Sequence, residues 1–329
     1  MVKLTKSDGA RAPASIARHL TLEIVRVTER GAIAAAGWRG KGDERAADAA
    51  AVEAMSHELS RIDIRGRVVI GEGERDEVKA LYIGEEVGSG TGLEVDIAVD
   101  PLEGVTLCAK NQPDSICVLV LAERGGLLNV SRNLYMNKIA IGPGYPEDIV
   151  HIDASAEENV NALAKAKGVP LSEITACVLD RPRHTSLIEE LRRCGVSVKL
   201  ISDGDIAGVI HAAQTDETGI DIYLGSGGAP EGVLAAAALR CIGGQMQGKL
   251  ILDTPEKRAR AARTGITKPD TIYSITDLAA GDVLFAATGI TDGSMMSGVR
   301  LRRNNVDTST IVMRSWSQTV RWVNARHAR

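Results

Sequence analysis

The chain has 329 residues, more than one compact core usually holds, and this length indicates one large or two closely packed domains. Hydrophobic residues make up 44% and charged residues 25%, which argues against a disordered, collagen-like or coiled-coil protein. Aromatic residues make up only 3%, which disfavours a function built on stacking bases or sugar rings. The formal charge of -4 gives no overall attraction to nucleic acid or an anionic membrane.

Cysteine use and the lack of long apolar runs indicate the compartment. The five cysteines are odd in number and form no CxxC pair, which predicts reduced, buried thiols rather than disulfides or a zinc site. No run resembles a signal sequence, and no stretch approaches the roughly 18 apolar residues of a membrane span. We therefore expect a soluble, cytoplasmic protein with no nucleic-acid or membrane partner. The basic end, residues 300–329, is expected to be a solvated face, with a binding patch as the alternative.

The first half of the chain predicts two helices followed by strands. Residues 1–14 mix charged and small residues with a proline and are expected to form a mobile tail. From Ser15 apolar positions recur at helical spacing up to Gly37, and an alanine-rich helix follows at about 46–59. Short apolar runs then predict strands at 68–70, 97–99, 115–122, 127–130 and 135–141.

In the second half helices and strands alternate. Ser155 and Glu158 form a capping box that opens a helix to Lys167. Alternation predicts an α/β layer with ligand residues at the carboxyl ends of strands. The further elements are strands at 174–179, 196–201 and 220–224, a helix at 185–194, and a helix that runs through Cys241. After the tail we expect a metal- and phosphate-binding domain at 15–170 and a sugar-phosphate-binding domain at 171–329.

Acidic residues lie on the second helix and after the first strands. Asp48 is in GKGDERAAD, Glu72 and Glu74 are in IGEGERDE, and Asp100 and Glu103 are in DIAVDPLEG. Carboxylates placed after strands in glycine turns suit Mg²⁺ or Mn²⁺, which takes oxygen ligands in a nearly octahedral shell. The alternative is that these side chains are solvated loop acids.

The DPLEG turn offers further ligands. Pro101 fixes the backbone between the two acids, so that the Leu102 carbonyl can complete a turn of ligands. Past Glu103 the turn is predicted to enter a helix, whose free amides at Gly104 and Val105 can hold a phosphate oxygen.

A basic cluster, DRPRH, follows a strand of the second half. Arg181 and Arg183 straddle Pro182, a geometry suited to clamping a second phosphate by paired hydrogen bonds. Surface salt bridges are the alternative for both arginines. His184 is expected to be a cap or spacer rather than a catalyst.

Two glycine-containing segments differ in what they can bind. In SDGD, Asp203 and Asp205 flank Gly204 and can accept hydrogen bonds from sugar hydroxyls, unless the segment is a plain turn. Residues 243–249, GGQMQGK, fit the start of a phosphate-loop pattern, but Leu250 stands where Ser or Thr would hold Mg²⁺ and the stretch follows a helix. This second segment is therefore rejected as a phosphate loop.

The motifs together resemble a known family. GKGDERAAD, VVIGEGERDE, VDIAVDPLEG, YMNKI, LDRPRH, SDGD, GGAPEG and FAATGITDG are similar, in order and spacing, to the class II fructose-1,6-bisphosphatases, including the bacterial dual fructose-1,6-/sedoheptulose-1,7-bisphosphatases. The resemblance covers residues 21–323. These enzymes belong to the lithium-sensitive metal-dependent phosphatases. The resemblance implies a layered α-β-α-β-α sandwich, a homo-oligomer (dimer or tetramer) and hydrolysis of the 1-phosphate of fructose 1,6-bisphosphate.

The resemblance also implies roles for individual residues, with Mg²⁺ or Mn²⁺ as the cofactor. Asp48 and Glu72 are expected to hold one metal, and Asp100, Glu103 and Glu231 of APEG another. Catalysis is expected at Asp48, Glu72 and position 105. The substrate is expected to meet Glu103, Gly104 and Val105 at the departing phosphate, and Tyr135, Arg181, Pro182, Arg183, Asp203, Gly204 and Asp205 at the sugar and distal phosphate.

Two residues depart from the family pattern. Val105 replaces a threonine whose hydroxyl helps to orient and deprotonate the attacking water together with the acid at Asp48; loss of such a relay lowers rates by about 10²–10⁴. Thr106 is next in the chain, but on a helix it points about 100° away. Glu44 stands where relatives usually carry lysine, which reverses a charge four residues from Asp48.

These departures leave three hypotheses. The first is a working sugar bisphosphatase that is slower or has a rearranged water relay. The second is a divergent paralogue that hydrolyses another sugar or nucleoside phosphate. The third, a non-catalytic sugar-phosphate-binding protein, is disfavoured because a dead site has no need of buried like charges that repel each other without metal.

Overall fold

The structure, a computed structural model, describes residues 16–329, so the tail expected at 1–14 lies outside the described residues. The helices are α1 Leu20–Ala36, α2 Glu44–Leu59, α3 Val105–Ala109, α4 Ala156–Lys167, α5 Thr185–Arg193, α6 Asp205–Ala213, α7 Thr215–Thr218, α8 Ala229–Ile242, α9 Pro255–Arg263 and α10 Ile275–Leu278. The strands are β1 Ile64–Ile70, β2 Glu86–Val87, β3 Leu93–Glu103, β4 Ile116–Glu123, β5 Tyr135–Ile141, β6 Thr175–Leu179, β7 Ser197–Ile201, β8 Ile222–Gly228, β9 Gln245–Leu250, β10 Ile272–Ser274, β11 Val283–Gly289, β12 Arg300–Leu301, β13 Asn305–Arg314 and β14 Thr319–Ala328.

The predicted capping box forms, and a second helix has a cap that was not predicted. The Ser155 hydroxyl accepts from the Glu158 amide and the Glu158 carboxylate accepts from the Ser155 amide, which forms the complete capping box of α4. Asp43 caps α2 by accepting a hydrogen bond from the Ala46 amide at 3.0 Å. Both helices therefore begin where local side chains satisfy their free amides.

Two mixed sheets organise these elements. The first runs β2-β1-β3-β4-β11-β13, with β12 and β14 both paired to β13; β1 and β3 are parallel and the other pairs are antiparallel. The second runs β10-β9-β5-β8-β6-β7, with β6 parallel to both β7 and β8. The ends of the parallel strands carry the polar motifs, as expected for α/β layers.

Three apolar clusters show how the layers stack. One joins α1 and α2 to the first sheet, with Ile24 and Leu119 among its members. A second joins the other face of that sheet to α6, α8 and the second sheet. A third places α4 and α5 on the outer face of the second sheet, around Val160 and Leu191. The predicted α-β-α-β-α sandwich is confirmed.

Several strands differ from the prediction, such as those expected at 127–130 and 97–99. Residues 127–130 do not form a strand, and only an isolated bridge joins Leu127 to Ala279. Leu127 and Val130 are buried against the central core, so packing of a loop explains their apolar pattern without strand pairing. The strand predicted at 97–99 is longer, since β3 continues through Asp100 to Glu103.

The predicted division near residue 170 does not follow the sheets. β5 comes from the first half of the chain and lies in the second sheet, whereas β11 to β14 come from the second half and complete the first. The two-domain division stays a prediction.

Thiols and helices bear on the predicted compartment. Four of the five cysteines are buried, Cys194 is half-buried, and all five are free thiols. None of the helices among residues 16–329 is both long enough and apolar enough to cross a membrane.

Candidate metal and phosphate site

An acidic cavity of about 230 Å³ opens at the end of β1 and β3. α2 contributes one side chain to it, and the starts of α3 and α8 contribute others. The charged side chains that line it are Asp48, Glu72, Asp100, Glu103, Arg132, Asp203 and Glu231, with Leu102, Gly104 and Val105 beside them. The structure thus brings together all five acids that were expected to hold metal.

A β-bulge places two of these acids side by side. The register of β3 against β4 shifts between Asp100 and Glu103, where Pro101 lies. Proline is tolerated in a strand at a bulge, and a bulge redirects side chains next to functional sites. The Leu102 amide donates to Asp100 Oδ1 at 3.2 Å, which fixes the bend. Both carboxylates consequently face the cavity.

Glu231 completes a group of three carboxylates. It lies in the first turn of α8, and one oxygen each of Asp100, Glu103 and Glu231 lie within 4.8 Å of one another. Gly228 lets this side chain approach, because a Cβ there would lie 1.8 Å from Glu231 Oε2. Glu231 Oε2 is buried and has no hydrogen-bond partner among the described residues.

The electrostatics of this group fit a bound divalent cation. Burial and the charges of Glu72 and Glu231 raise the pKa of Asp100 well above its usual range, and burial and Asp100 do the same to the pKa of Glu103. Burial and Asp205 also raise the pKa of Glu231, although Lys138 opposes the rise. A hard cation relieves this repulsion and satisfies the orphaned oxygen. The residues present therefore fit Mg²⁺ or Mn²⁺.

Asp48 and Glu72 line the same cavity outside this three-carboxylate group. Burial and the nearby Asp48 charge raise the pKa of Glu72 to about 7, and burial raises the pKa of Asp48. A carboxyl group such as that of Glu72, which holds a proton near neutrality, is suited to proton transfer or to release of that proton when a metal binds.

Val105 and Thr106 face different surroundings. Val105 lines the cavity and places only methyl groups there. The Thr106 hydroxyl donates to Glu44 Oε1 at 2.8 Å. Thr106 and Glu44 both lie outside the lining of the cavity. The two positions that depart from the family pattern, Val105 and Glu44, are thus connected. Glu44 accepts a hydrogen bond from Thr106, the residue next to Val105.

The DRPRH segment supplies an arginine beside an aromatic ring. Arg183 donates from Nε and Nη2 to the Ser226 carbonyl, at 3.1 and 2.7 Å, and lies 5.2 Å from the ring centroid of Tyr135. Arg181 lies 3.6 Å from Asp203. Pro182 begins a 3-10 turn between the two arginines.

His184 joins β6 to β8 rather than capping α5. Its Nδ1 lies 2.8 Å from the Leu179 carbonyl, and its Nε2 accepts from the Ser226 amide at 2.8 Å. Its side chain makes no capping hydrogen bond. Burial lowers the pKa of His184, in keeping with a neutral ring that bridges two strands.

Asp203 and Asp205, on either side of Gly204, lie in different surroundings. Asp203 lines the cavity, and burial raises its pKa while Arg181 opposes the rise. Asp205 is buried and pairs with the Lys138 ammonium, which also donates to the Gly228 carbonyl at 2.8 Å. Gly204 precedes α6 with φ of 81°, in the left-handed region that suits glycine.

Two residues of this region were not predicted from the sequence. Lys138 lies in the quoted motif YMNKI, where a lysine amid an apolar strand was the available signal. Arg132 lies in the turn before β5, and nothing in its sequence neighbourhood distinguishes it from a solvated loop arginine.

The stacked α/β sheets and the carboxylate cavity at their strand ends are those expected of a metal-dependent phosphatase. A family model described as bacterial fructose-1,6-bisphosphatase, glpX-encoded, matches residues 18–327, and the chain belongs to this family. Two Synechococcus proteins named D-fructose 1,6-bisphosphatase class 2/sedoheptulose 1,7-bisphosphatase are 46% identical over 94% of this chain and 95% of their own length. A Synechocystis protein of the same name is 45% identical over 94% of this chain and 96% of its own length.

Proposed function

We propose that the protein hydrolyses the 1-phosphate of fructose 1,6-bisphosphate, and that sedoheptulose 1,7-bisphosphate is also a substrate. The observation that carries the proposal is the group formed by Asp100, Glu103 and Glu231, three buried carboxylates that fit a divalent cation. The names of the relatives supply the substrate class.

The acids of the cavity divide into two sets in this proposal. Asp100, Glu103 and Glu231, with the Leu102 carbonyl, hold one Mg²⁺ or Mn²⁺, and Asp48 and Glu72 hold another. When bound, these cations polarise the phosphoryl group and lower the pKa of a water molecule. Asp48 and Glu72 line the cavity and take up the proton of the attacking water. Gly104 and Val105 contact the departing phosphate through the backbone.

The distal end of the substrate meets the second sheet. Arg183 donates hydrogen bonds from Nε and Nη2 to Ser226. Its Nη1 has no hydrogen bond among the described residues and is free to donate to a second phosphate. Tyr135 is 44% exposed beside it and can contact the sugar. Asp203 lines the cavity and pairs with Arg181 at 3.6 Å, and in this proposal both residues contact the sugar.

The test is release of orthophosphate by the purified protein. We expect phosphate release from fructose 1,6-bisphosphate with Mg²⁺ or Mn²⁺, and loss of this activity on chelation. In Glu103→Gln the activity should fall by about 10²-fold or more, because mutating even the residues that support metal ligands costs about 10–100-fold. Glu94→Gln is the matched control, since Glu94 is half-exposed on the same strand and pairs with Arg65 at 3.2 Å, away from the cavity.

A panel of other phosphate esters separates the alternatives. Turnover of another sugar or nucleoside phosphate, with none of fructose 1,6-bisphosphate, would identify a divergent paralogue. Binding of sugar phosphates without turnover of any ester would identify a non-catalytic protein.

We also propose that the protein is a cytoplasmic homo-oligomer, a dimer or tetramer, with a small-molecule substrate and no nucleic-acid partner. Family membership and the free thiols support this proposal. Light scattering of the purified protein measures the assembly directly.

A further inference from the structure

The turn between β4 and β5 presents one arginine to the acidic cavity. Val130 and Leu134 are fully buried on either side of it, and the Leu134 amide donates to the Ser131 carbonyl at 3.1 Å. Between these anchors Arg132 is exposed. The backbone of the turn is therefore fixed, while the arginine side chain extends from it over the cavity.

The guanidinium of Arg132 lies against the loop that carries Glu72. Its Nη2 is 3.8 Å from Glu72 Oε2, and its Nη1 approaches Gly73 so closely that a Cβ at Gly73 would lie 3.5 Å away. Among the described residues that line the cavity, every other charged side chain is a carboxylate. Arg132 is thus the cation that the fold itself supplies to this site.

The hydrogen-bonding capacity of Arg132 is unused. A separation of 3.8 Å exceeds hydrogen-bond distance, and the guanidinium makes no hydrogen bond to the rest of residues 16–329. The guanidinium carries five N–H donors in a fork that matches a phosphate, and Arg132 lines the cavity. The side chain is 51% exposed, so it can rotate without disturbing the core.

A role as a simple counter-charge does not account for this placement. An ion pair 3.8 Å long, with an arginine whose side chain is half-exposed, contributes little to stability. A positive charge beside six carboxylates also opposes the binding of the divalent cation that they fit. An anion that enters the cavity together with the cation reverses that balance, because Arg132 then attracts it.

We propose that Arg132 contacts the phosphoryl group that is hydrolysed. When substrate binds, the guanidinium of Arg132 moves away from Glu72 and donates hydrogen bonds to the phosphoryl oxygens. The inference rests on the proposed function for the identity of the substrate, but not for the anion-binding property itself. Arg132 would act as a catalytic residue for the developing charge on the transferred group.

The experiment compares Arg132→Gln and Arg132→Lys with the wild-type protein in three measurements. These are turnover of fructose 1,6-bisphosphate, affinity for inorganic phosphate with Mg²⁺ present, and affinity for Mn²⁺ without phosphate. Arg67→Gln is the matched control, because Arg67 is 47% exposed and lies 3.5 Å from a buried carboxylate, that of Asp96, outside the cavity.

We expect Arg132→Gln to lower kcat/KM by about 10²-fold, as loss of one donor to a developing oxyanion does. Its affinity for inorganic phosphate should fall about tenfold or more, with Arg132→Lys intermediate because lysine keeps the charge without the fork. Its affinity for Mn²⁺ should be equal or higher, because a positive charge has left the site. Arg67→Gln should match the wild type in all three.

Other results would overturn the inference. Unchanged phosphate affinity in Arg132→Gln would show that Arg132 does not contact the anion. A parallel fall in Mn²⁺ affinity would show that it only maintains the shape of the loop. If the wild type does not hydrolyse fructose 1,6-bisphosphate but binds inorganic phosphate in an Arg132-dependent way, the proposed function fails and this inference stands.

Discussion

Val105 is the residue at which the proposed chemistry is weakest. Its methyl groups line the cavity where a hydroxyl would orient water, and the neighbouring Thr106 hydroxyl is bonded to Glu44. We therefore expect Val105→Thr to raise turnover of fructose 1,6-bisphosphate by about 10²-fold or more, because a positioned proton-transfer group contributes about 10²–10⁴-fold. Rates of phosphate release measure this, with Thr106→Val as the control that should change little. A loss of activity in the control would indicate that Thr106 has taken over the missing role.

Arg183 is expected to distinguish bisphosphorylated substrates from simple esters. Its free Nη1 points to a role at the phosphate that is not hydrolysed, so Arg183→Ala should raise KM for fructose 1,6-bisphosphate about 10-fold or more and leave KM for an aryl phosphate nearly unchanged. Arg192, exposed in the last turn of α5, provides the control variant Arg192→Ala. Equal effects of Arg183→Ala on both substrates would remove the distal-phosphate role.

The metal-binding acids were predictable from the sequence one by one, whereas the two basic residues Lys138 and Arg132 were not. Asp100 and Glu103 stand in a turn after an apolar run, which is a local pattern. Lys138 is buried because Asp205, 67 positions away in the chain, lies opposite it, and no local pattern reports a partner at that distance. Arg132 depends in the same way on the fold, which brings its turn to the end of β1.

At the scale of elements, the ion pair of Lys138 and Asp205 fastens β5 to the start of α6. The Lys138 side chain is fully buried, and Asp205 is nearly so. Removing one member of such a pair typically costs about 3–5 kcal/mol because the other charge is left uncompensated. We expect Lys138→Met to lower the free energy of unfolding by that amount, measured by urea denaturation.

The double variant tests the cause of that loss. Lys138→Met with Asp205→Asn removes both charges and should recover a large part of the lost stability. If the double variant is as unstable as Lys138→Met, the lost packing of the lysine stem is the cause rather than the uncompensated aspartate.

β3 is longer than its sequence pattern predicts. Its apolar centre was predictable, but its continuation through Pro101 was not, because proline ordinarily argues against a strand interior. The bulge resolves the conflict by placing Pro101 in a register shift. At 127–130 the reverse occurred, since buried apolar residues suggested pairing that a loop does not make.

At the scale of the whole molecule, the buried acids make stability depend on both pH and metal. The pKa of Glu72 is raised from 4.5 to about 7, and those of Asp100 and Glu103 are raised as well. The metal-free folded protein therefore binds more protons than the unfolded chain, so its stability falls as pH rises through this window. Metal binding requires the ionised carboxylates and strengthens as pH rises.

We expect the increase in melting temperature on adding Mg²⁺ to be larger at about pH 8 than at about pH 5.5. Thermal unfolding with and without chelator at both pH values measures it. In Glu72→Gln the pH dependence of the metal-free protein should be reduced, because one of the shifted groups no longer titrates. An increase of equal size at both pH values in the wild type would contradict this linkage.

The return of β11 to β14 to the first sheet has a consequence for synthesis of the chain. β4 lies between β3 and β11, so its second edge stays unpaired until residues 283–289 have left the ribosome. An unpaired, apolar strand edge is a site for pairing with other chains. The nascent chain therefore carries an aggregation-prone edge from the synthesis of β4 until that of β11, and slow translation of the segment between them lengthens that exposure.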